Sequence, residues 1–187
     1  MLFPNTTLDK LFSIALKKFS KKTETNPKYF MYENTGVMPR AFVVGSWIYA
    51  QDMKTQSRVL LSGQFDPRQV VILDSDLKNI ELSARNSIAE ITKYKNNRVE
   101  INTKMDGVGI LVLSDSNYPG WRVYIDGVEN KIINANINSR AVVVPEGEHR
   151  VEFNFEPKSF KWGFLISTFT IILLLVILTK EVKRKNA

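Results

Sequence analysis

The sequence predicts a mainly β protein, an Ig-like or jelly-roll-like β-sandwich with a short N-terminal helix and a single C-terminal transmembrane helix. Three observations predict it: short β-branched and aromatic runs, turn-forming pairs such as Asp126–Gly127 between those runs, and an uncharged apolar segment after them. The predicted domains are, in order, a basic amphipathic helix over 1–22, a β-sandwich over 23–159, a membrane helix over 160–180 and a basic tail over 181–187.

The N-terminal segment has the spacing of an amphipathic helix. Apolar residues recur at intervals of three and four along one stripe: Leu8, Leu11, Phe12, Ala15, Leu16 and Phe19. Lysines make the rest of the predicted helix surface strongly basic. Such a helix either packs on the rest of the domain with a solvated basic face or lies on anionic lipid. Because the stripe is narrow and has no tryptophan, packing is favoured.

The central region predicts strands. Several runs alternate apolar and polar residues, as in Val99–Thr103 and Val151–Phe155, so one face of each strand is expected to be buried. One helix is predicted over Asp52–Leu61, closed by Ser62–Gly63. The predicted strands are Tyr29–Tyr32, Arg40–Tyr49, Gln69–Leu73, Ser87–Lys95, Arg98–Met105, Val108–Ser114, Trp121–Asp126, Lys131–Ile133, Ala141–Val144 and His149–Phe155.

The segment Trp162–Thr179 predicts a membrane span. Its 18 residues carry no charge, and as a helix they are about 27 Å long, close to the thickness of the hydrocarbon layer. Aromatic and basic residues favour the two membrane interfaces. The predicted interface residues are Phe160 and Trp162 at one end and Lys180, Lys183, Arg184 and Lys185 at the other.

The flanking charges predict the orientation of this span. Lys158 and Lys161 precede it, whereas four basic residues follow within six positions, so the C-terminus is expected in the cytoplasm and residues 1–160 outside. The apolar stretch Leu8–Phe19 is interrupted by charges and does not resemble an export signal. Either the span is a tail anchor of opposite orientation, or the chain is the C-terminal piece of a longer polytopic protein. The second interpretation is favoured.

The net charge of +7 lies at the two ends of the chain. Residues 1–22 carry +4 and residues 180–187 carry +3, so the central region is neutral. A nucleic-acid-binding domain usually has a basic face of its own, so the sequence predicts no nucleic-acid partner.

With no cysteine and one histidine, thiolate chemistry and a multi-histidine metal site are excluded. No nucleotide or nucleophile motif is present, and neither a cofactor nor a catalytic residue is predicted.

The most distinctive stretch is Gly109–Gly127. Its candidate glycan-contact residues are Asp115, Asn117, Tyr118 and Trp121, since aromatic rings beside polar groups suit sugar stacking with hydrogen bonds to hydroxyls. The alternative, which is favoured, is that Trp121 belongs to the sandwich core with the alternating Val123 and Ile125. Two aspartates lie within this stretch, Asp115 and Asp126, and both are predicted to cap turns; His149 is interpreted as a turn or packing residue.

Three ordered blocks resemble the C-terminal region of the YfhO family of bacterial membrane proteins. They are Met38–Val44 with its Pro-Arg-Ala-Phe run, Gly109–Gly127 with Leu-Ser-Asp, Tyr-Pro-Gly-Trp and Asp-Gly, and Arg140–Phe153 with its Val-Pro-Glu-Gly-Glu-His turn. Phe155–Pro157 then leads into the membrane segment. The resemblance runs from about Tyr29 to Leu178.

The resemblance implies a polytopic protein similar to the GT-C glycosyltransferases, which use lipid-linked sugars at the outer membrane face. Some members are associated with glycosylation of envelope polymers such as teichoic acids. The catalytic acid of such enzymes lies in an early loop between membrane helices, so no family catalytic residue is carried onto this chain. The expected role is that of an accessory extracytoplasmic domain, with the bilayer, an envelope polysaccharide or the upstream membrane part as partners. The alternative is a stand-alone anchored β-sandwich that binds a glycan or an envelope protein.

Overall fold

The computed structural model describes residues 19–21, 32–34, 36–63 and 65–185. The chain divides into two compact units, Met1–Pro39 and Arg40–Ala187. In the first unit, strand β1 (Phe19–Lys21) pairs antiparallel with strand β2 (Tyr32–Asn34). Most of the predicted helix over 1–22 lies outside the described residues. Its last part is corrected, because Phe19–Lys21 is a strand whose backbone pairs with β2.

The second unit contains eleven described strands and two described helices. They are β3 (Ala41–Val44), β4 (Ser46–Tyr49), α1 (Met53–Leu60), β5 (Val70–Leu73), β6 (Ile88–Lys95), β7 (Arg98–Met105), β8 (Gly109–Ser116), β9 (Trp121–Ile125), β10 (Val128–Asn130), β11 (Ile133–Ala135), β12 (Ser139–Val144), β13 (Gly147–Phe155) and α2 (Lys158–Lys185).

The strands form two sheets, which confirms the mainly β prediction. One has five strands in the order β10-β9-β13-β7-β6, and the other has six in the order β3-β8-β12-β11-β5-β4. All described neighbours within these two sheets are antiparallel except β4 and β5, which run parallel and are connected through α1. The predicted Ig-like or jelly-roll-like pattern does not include this parallel pair.

The six-stranded sheet has an apolar cluster on each face. The cluster between the sheets combines residues of both, including Ile101, Val123 and Phe153 from the five-stranded sheet and Leu111 and Leu113 from the six-stranded sheet. The cluster on the other face is built around Val71, Leu73, Ile110, Val112 and Ala141. Because successive side chains of a strand point to opposite faces, the consecutive buried run Ile110–Leu113 serves both clusters.

The helix α1 begins where the sequence predicts. Asp52 is its N-cap, and the Asp52 carboxylate accepts hydrogen bonds from the backbone N–H and the hydroxyl of Thr55 at 2.9 and 2.7 Å.

The predicted strand Arg40–Tyr49 is divided at Gly45, where a Cβ atom would lie 2.0 Å from the backbone oxygen of Ala84. The two backbones therefore approach too closely for any residue other than glycine.

The outer face of the five-stranded sheet carries a network of ion pairs. Glu100 lies 3.1 Å from Lys93, 2.9 Å from Arg98 and 2.7 Å from Arg150, measured between side-chain oxygen and nitrogen atoms. The hydrogen bond from Lys93 and the nearby arginines hold the pKa of Glu100 below its usual value, although burial opposes this. Basic and acidic side chains thus compensate one another on this face.

Candidate functional site

An open cleft of about 550 Å³ lies where β6 and β8 end and β9 begins. It is lined by residues of both sheets, among them Tyr94, Asp115, Tyr118, Trp121 and Arg140. Three of the four candidate glycan-contact residues therefore meet at one cleft. Asn117 is adjacent in sequence and donates its backbone N–H to the carbonyl of Asn138 at 2.7 Å.

Asp115 is the polar centre of the cleft. Its carboxylate lies 3.2 Å from Nη2 of Arg140 and 3.3 Å from Nη1 of Arg40, and it accepts a hydrogen bond of 3.0 Å from the hydroxyl of Tyr94. The Tyr94 hydroxyl also accepts a hydrogen bond from Arg40. The Asp115 side chain is only 13% exposed. The predicted turn-capping role of Asp115 is therefore wrong, because the residue lies at the end of β8 and its carboxylate is occupied by side chains distant in sequence.

Irregularities in two strands place Tyr94 and Asp115. In β6 the register changes between Ile91 and Lys93, so Tyr94 lies opposite the core residue Val99. In β8 the pairing with β12 passes from Leu113 directly to Ser116, so Asp115 falls within the interruption. Bulges of this kind redirect side chains and occur frequently near functional sites. Both side chains consequently turn toward the same end of the sandwich.

Arg140 is held between aromatic rings at the base of the cleft. Its guanidinium carbon lies 3.8 Å from the centroid of the Trp121 ring and 5.5 Å from that of Phe153. The side chain is 3% exposed, and burial lowers the pKa of Arg140 while Asp115 opposes that change. Nε and Nη1 have no hydrogen-bond partner within the described part of the chain, so the aromatic rings and Asp115 are what compensate the buried charge.

Trp121 and Tyr118 differ in exposure. Trp121 is half-buried against the cluster between the sheets and contacts Phe155, with ring centroids 5.4 Å apart. This agrees with the favoured interpretation of Trp121 as part of the core, and the neighbouring Val123 is fully buried. Tyr118 is 67% exposed at the rim, so Tyr118 is the more accessible aromatic surface of the two.

Sequence reasoning missed two residues that line the cleft, Tyr94 and Arg140, and also Arg40, which pairs with the Asp115 carboxylate. Arg40 and Arg140 each precede an apolar strand run beginning with alanine, at Ala41 and Ala141. A basic residue directly before a buried apolar strand is the sequence signal that could have identified both arginines. A charged side chain at such a position is stabilised by an acidic partner, because burying an unpaired charge is costly.

The far end of β9 carries a second polar group, around Asp126. Asp126 and Gly127 form a turn with φ values of 51° and 83°. The Asp126 carboxylate accepts a hydrogen bond from the backbone N–H of Arg150 at 2.9 Å and lies 2.7 Å from Nδ1 of His149. Nε2 of His149 lies 3.2 Å from the carbonyl oxygen of Glu146. Asp126 thus caps a turn, and both nitrogens of His149 are engaged in holding it.

The described residues contain no group of three or more histidine, cysteine or acidic side chains placed to hold a metal ion. The candidate cleft has two arginines around one aspartate, together with tyrosine hydroxyls and aromatic surface. This set of groups suits the binding of a polar ligand with faces that can stack on rings.

The helix α2 contains one stretch, Trp162–Lys180, that is long and apolar enough to cross a membrane. None of this stretch is buried against the rest of the protein. Phe160 and Trp162, at its N-terminal end, are 73% and 66% exposed. The predicted interface residues Lys180, Lys183, Arg184 and Lys185 lie in the C-terminal part of the same helix, which continues to Lys185.

The model of a family described as bacterial membrane protein YfhO matches residues 62–167, more than half of the chain. The chain belongs to the YfhO family. The matched range contains the residues that line the cleft and the first residues of the membrane helix, whereas the Met38–Val44 block, which includes Arg40, precedes it. No curated protein and no solved structure matches the chain. Membership of the YfhO family together with the apolar helix establishes a membrane protein.

Proposed function

We propose that this YfhO-family chain is a membrane-anchored extracytoplasmic accessory domain that binds a glycan in the Tyr94–Asp115–Arg140 cleft. In this proposal the chain is the C-terminal part of a polytopic protein that takes part in the glycosylation of a cell-envelope polymer such as a teichoic acid. The observation that carries the proposal is the convergence of Asp115, Tyr118 and Trp121 with Tyr94 at one open cleft.

The geometry supports a glycan as the ligand for two reasons. Tyr94 and Tyr118, which are 49% and 67% exposed, offer ring faces at the cleft, and sugar rings stack on such surfaces. Asp115, itself paired with Arg40 and Arg140, accepts a hydrogen bond from the Tyr94 hydroxyl at 3.0 Å and so holds the Tyr94 ring in place, which lowers the entropic cost of ordering that ring on binding. The cleft is open rather than enclosed, as binding along an extended polymer requires.

The charges beside the span support the proposed orientation. The end of α2 after the span carries four basic residues between Lys180 and Lys185, and the end before it carries Lys158 and Lys161. The more basic end favours the cytoplasm, so the β-domain faces outside.

Glycan binding is tested with two surface substitutions on the same strand. Tyr94→Ala removes a ring from the cleft, whereas Ile88→Ala, its matched control at 62% exposure, changes β6 away from the cleft. The full chain in a mild detergent is titrated with purified envelope polysaccharides. We expect Tyr94→Ala to weaken binding at least about tenfold, or roughly 1.4 kcal/mol, and Ile88→Ala to leave it unchanged. Equal binding by both variants, or no binding by the wild-type chain, contradicts the proposal.

The place of the chain in a longer protein is tested separately by the coding sequence upstream of it. A run of membrane helices in the same reading frame supports the polytopic protein. A reading frame without such helices favours the stand-alone anchored sandwich, and glycan binding would then be a property of that sandwich.

A further inference from the structure

The turn Tyr118–Gly120 is fastened to the segment that leads into the membrane helix. The carbonyl oxygen of Gly120 accepts a hydrogen bond from the backbone N–H of Glu156 at 2.6 Å. Gly120 has a φ of 110°, and a Cβ atom there would lie 2.9 Å from the Phe155 ring and 3.3 Å from Pro157. Close packing at this glycine leaves the turn little freedom to move away from Phe155–Pro157.

The attachment brings the turn close to the membrane boundary. Glu156 precedes Lys158, where α2 begins, by two residues, and the apolar stretch begins four residues further on, at Trp162. At most about 7 Å of extended chain and about 6 Å of helix therefore separate Glu156 from Trp162. A backbone hydrogen bond of Phe160 to the carbonyl of Pro157, at 3.2 Å, shows that the helical turn starts immediately.

The exposed side chains on both sides of this attachment are aromatic. Phe160 and Trp162 are 73% and 66% exposed at the start of α2, and Tyr118 is 67% exposed on the turn. Tyrosine and tryptophan prefer the headgroup layer, because their rings are apolar and their polar atoms reach water. Phe160 and Trp162 lie at the start of the membrane segment, and Tyr118 lies on the turn that is hydrogen-bonded to Glu156 just before it.

We propose that the Tyr118–Gly120 turn is a second membrane contact, with the Tyr118 ring in the headgroup layer beside Phe160 and Trp162. The β-domain then has two attachments to the bilayer, the helix α2 and this turn, and the cleft beside Tyr118 opens at the membrane surface. The proposal depends on the geometry of the turn and of α2 and holds whether or not the cleft binds a glycan.

The absence of cysteine from the sequence allows a direct test, because a single introduced cysteine carries a nitroxide label at one known position. The label is placed at Tyr118→Cys and, as the matched control, at Val128→Cys. Val128 has the same 67% exposure as Tyr118. It follows the turn at the opposite end of β9, about 13 Å along the strand from Trp121.

The full chain is reconstituted in phosphatidylcholine–phosphatidylglycerol vesicles, and collision of each label with a water-soluble nickel chelate and with oxygen is measured. We expect the Tyr118→Cys label to be several-fold less accessible to nickel than the Val128→Cys label, with relatively higher oxygen accessibility. A third label at Pro119→Cys, which keeps the Tyr118 ring, should behave like the label at position 118. Equal nickel accessibility of the labels at 118, 119 and 128 overturns the proposal.

Discussion

The two aspartates that lie beside the two ends of β9 differ in burial and in partners. Asp115, at the end of β8 and close to the start of β9, is 13% exposed and pairs with the buried Arg140. Asp126, at the far end, is 52% exposed and holds a turn together with His149. Sequence reasoning assigned both aspartates to turns, and only Asp126 has that role. The difference shows that burial and partners distant in sequence distinguish a candidate site from a capped turn.

The largest effect is expected from removal of Arg140, the buried partner of Asp115. Arg140→Ala leaves Asp115 without its buried partner and opens a space against Trp121, so the free energy of unfolding should fall by about 3–5 kcal/mol. Arg40→Ala removes the other basic partner of Asp115; because the Arg40 side chain is 55% exposed, the substitution should cost less than about 1 kcal/mol. Urea unfolding of the full chain in a mild detergent measures both. Similar losses for the two variants would show that burial of Arg140 does not set its contribution.

A pair of isosteric substitutions compares the two aspartates directly. Asp115→Asn keeps the shape but leaves the buried Arg140 without a counter-charge, so we expect a loss of about 2 kcal/mol in the free energy of unfolding. Asp126→Asn, at a half-exposed position, should cost less than about 1 kcal/mol. Urea unfolding of both variants measures the two losses. An equal or larger loss for Asp126→Asn would contradict the conclusion that Asp115 is the more strongly stabilising aspartate.

The smallest expected effect is the pH dependence of the Asp126 end. The hydrogen bond with the Asp126 carboxylate raises the pKa of His149 above its ordinary value of 6.5. A raised folded-state pKa stabilises the protein below pH 6.5, and that contribution is lost as the pH rises through the folded-state pKa. The hydrogen bond with His149 lowers the pKa of Asp126 from 3.8, so the contribution of Asp126 is lost as the pH falls through that lowered value.

Stability of the wild-type chain should therefore decrease slightly, by less than about 1 kcal/mol, between about pH 5.5 and about pH 8. His149→Gln should abolish this decrease, because glutamine does not titrate. Urea midpoints for the two proteins at both pH values provide the measurement. A pH dependence that survives in His149→Gln would assign it to another group.

Much of the fold follows from local sequence pattern. The alternation in Arg98–Met105 gives β7 its observed bounds, and Asp52 caps α1 as predicted. The apolar segment after Phe160 forms a helix long enough to span a membrane, and its length and hydropathy can be read from the sequence without knowing any contact. Each of these features is encoded within fewer than about 30 consecutive residues.

The cleft depends on information that local pattern does not contain. Arg40 and Asp115 are separated by 75 residues, and their contact depends on the irregular register of β8. Tyr94 reaches the cleft because one residue of β6, Thr92, has no partner in the ladder with β7. Because one residue of β6 is unpaired, Tyr94 lies on the opposite face of the sheet from the one that strict alternation predicts, so the residue types were visible in the sequence but their meeting was not.

The proposed role in the cell envelope requires the β-domain to lie outside the cell membrane, and cysteine labelling tests this location most directly. Residues 1–187 contain no cysteine, so Val128→Cys, at an exposed position, is detected as labelling above that of the unsubstituted protein. In cells that produce the protein from its natural gene, a membrane-impermeant maleimide should label Val128→Cys without permeabilisation, whereas Ala187→Cys should be labelled only after the membrane is opened. Labelling of Ala187→Cys in intact cells, with Val128→Cys protected until lysis, would contradict the account.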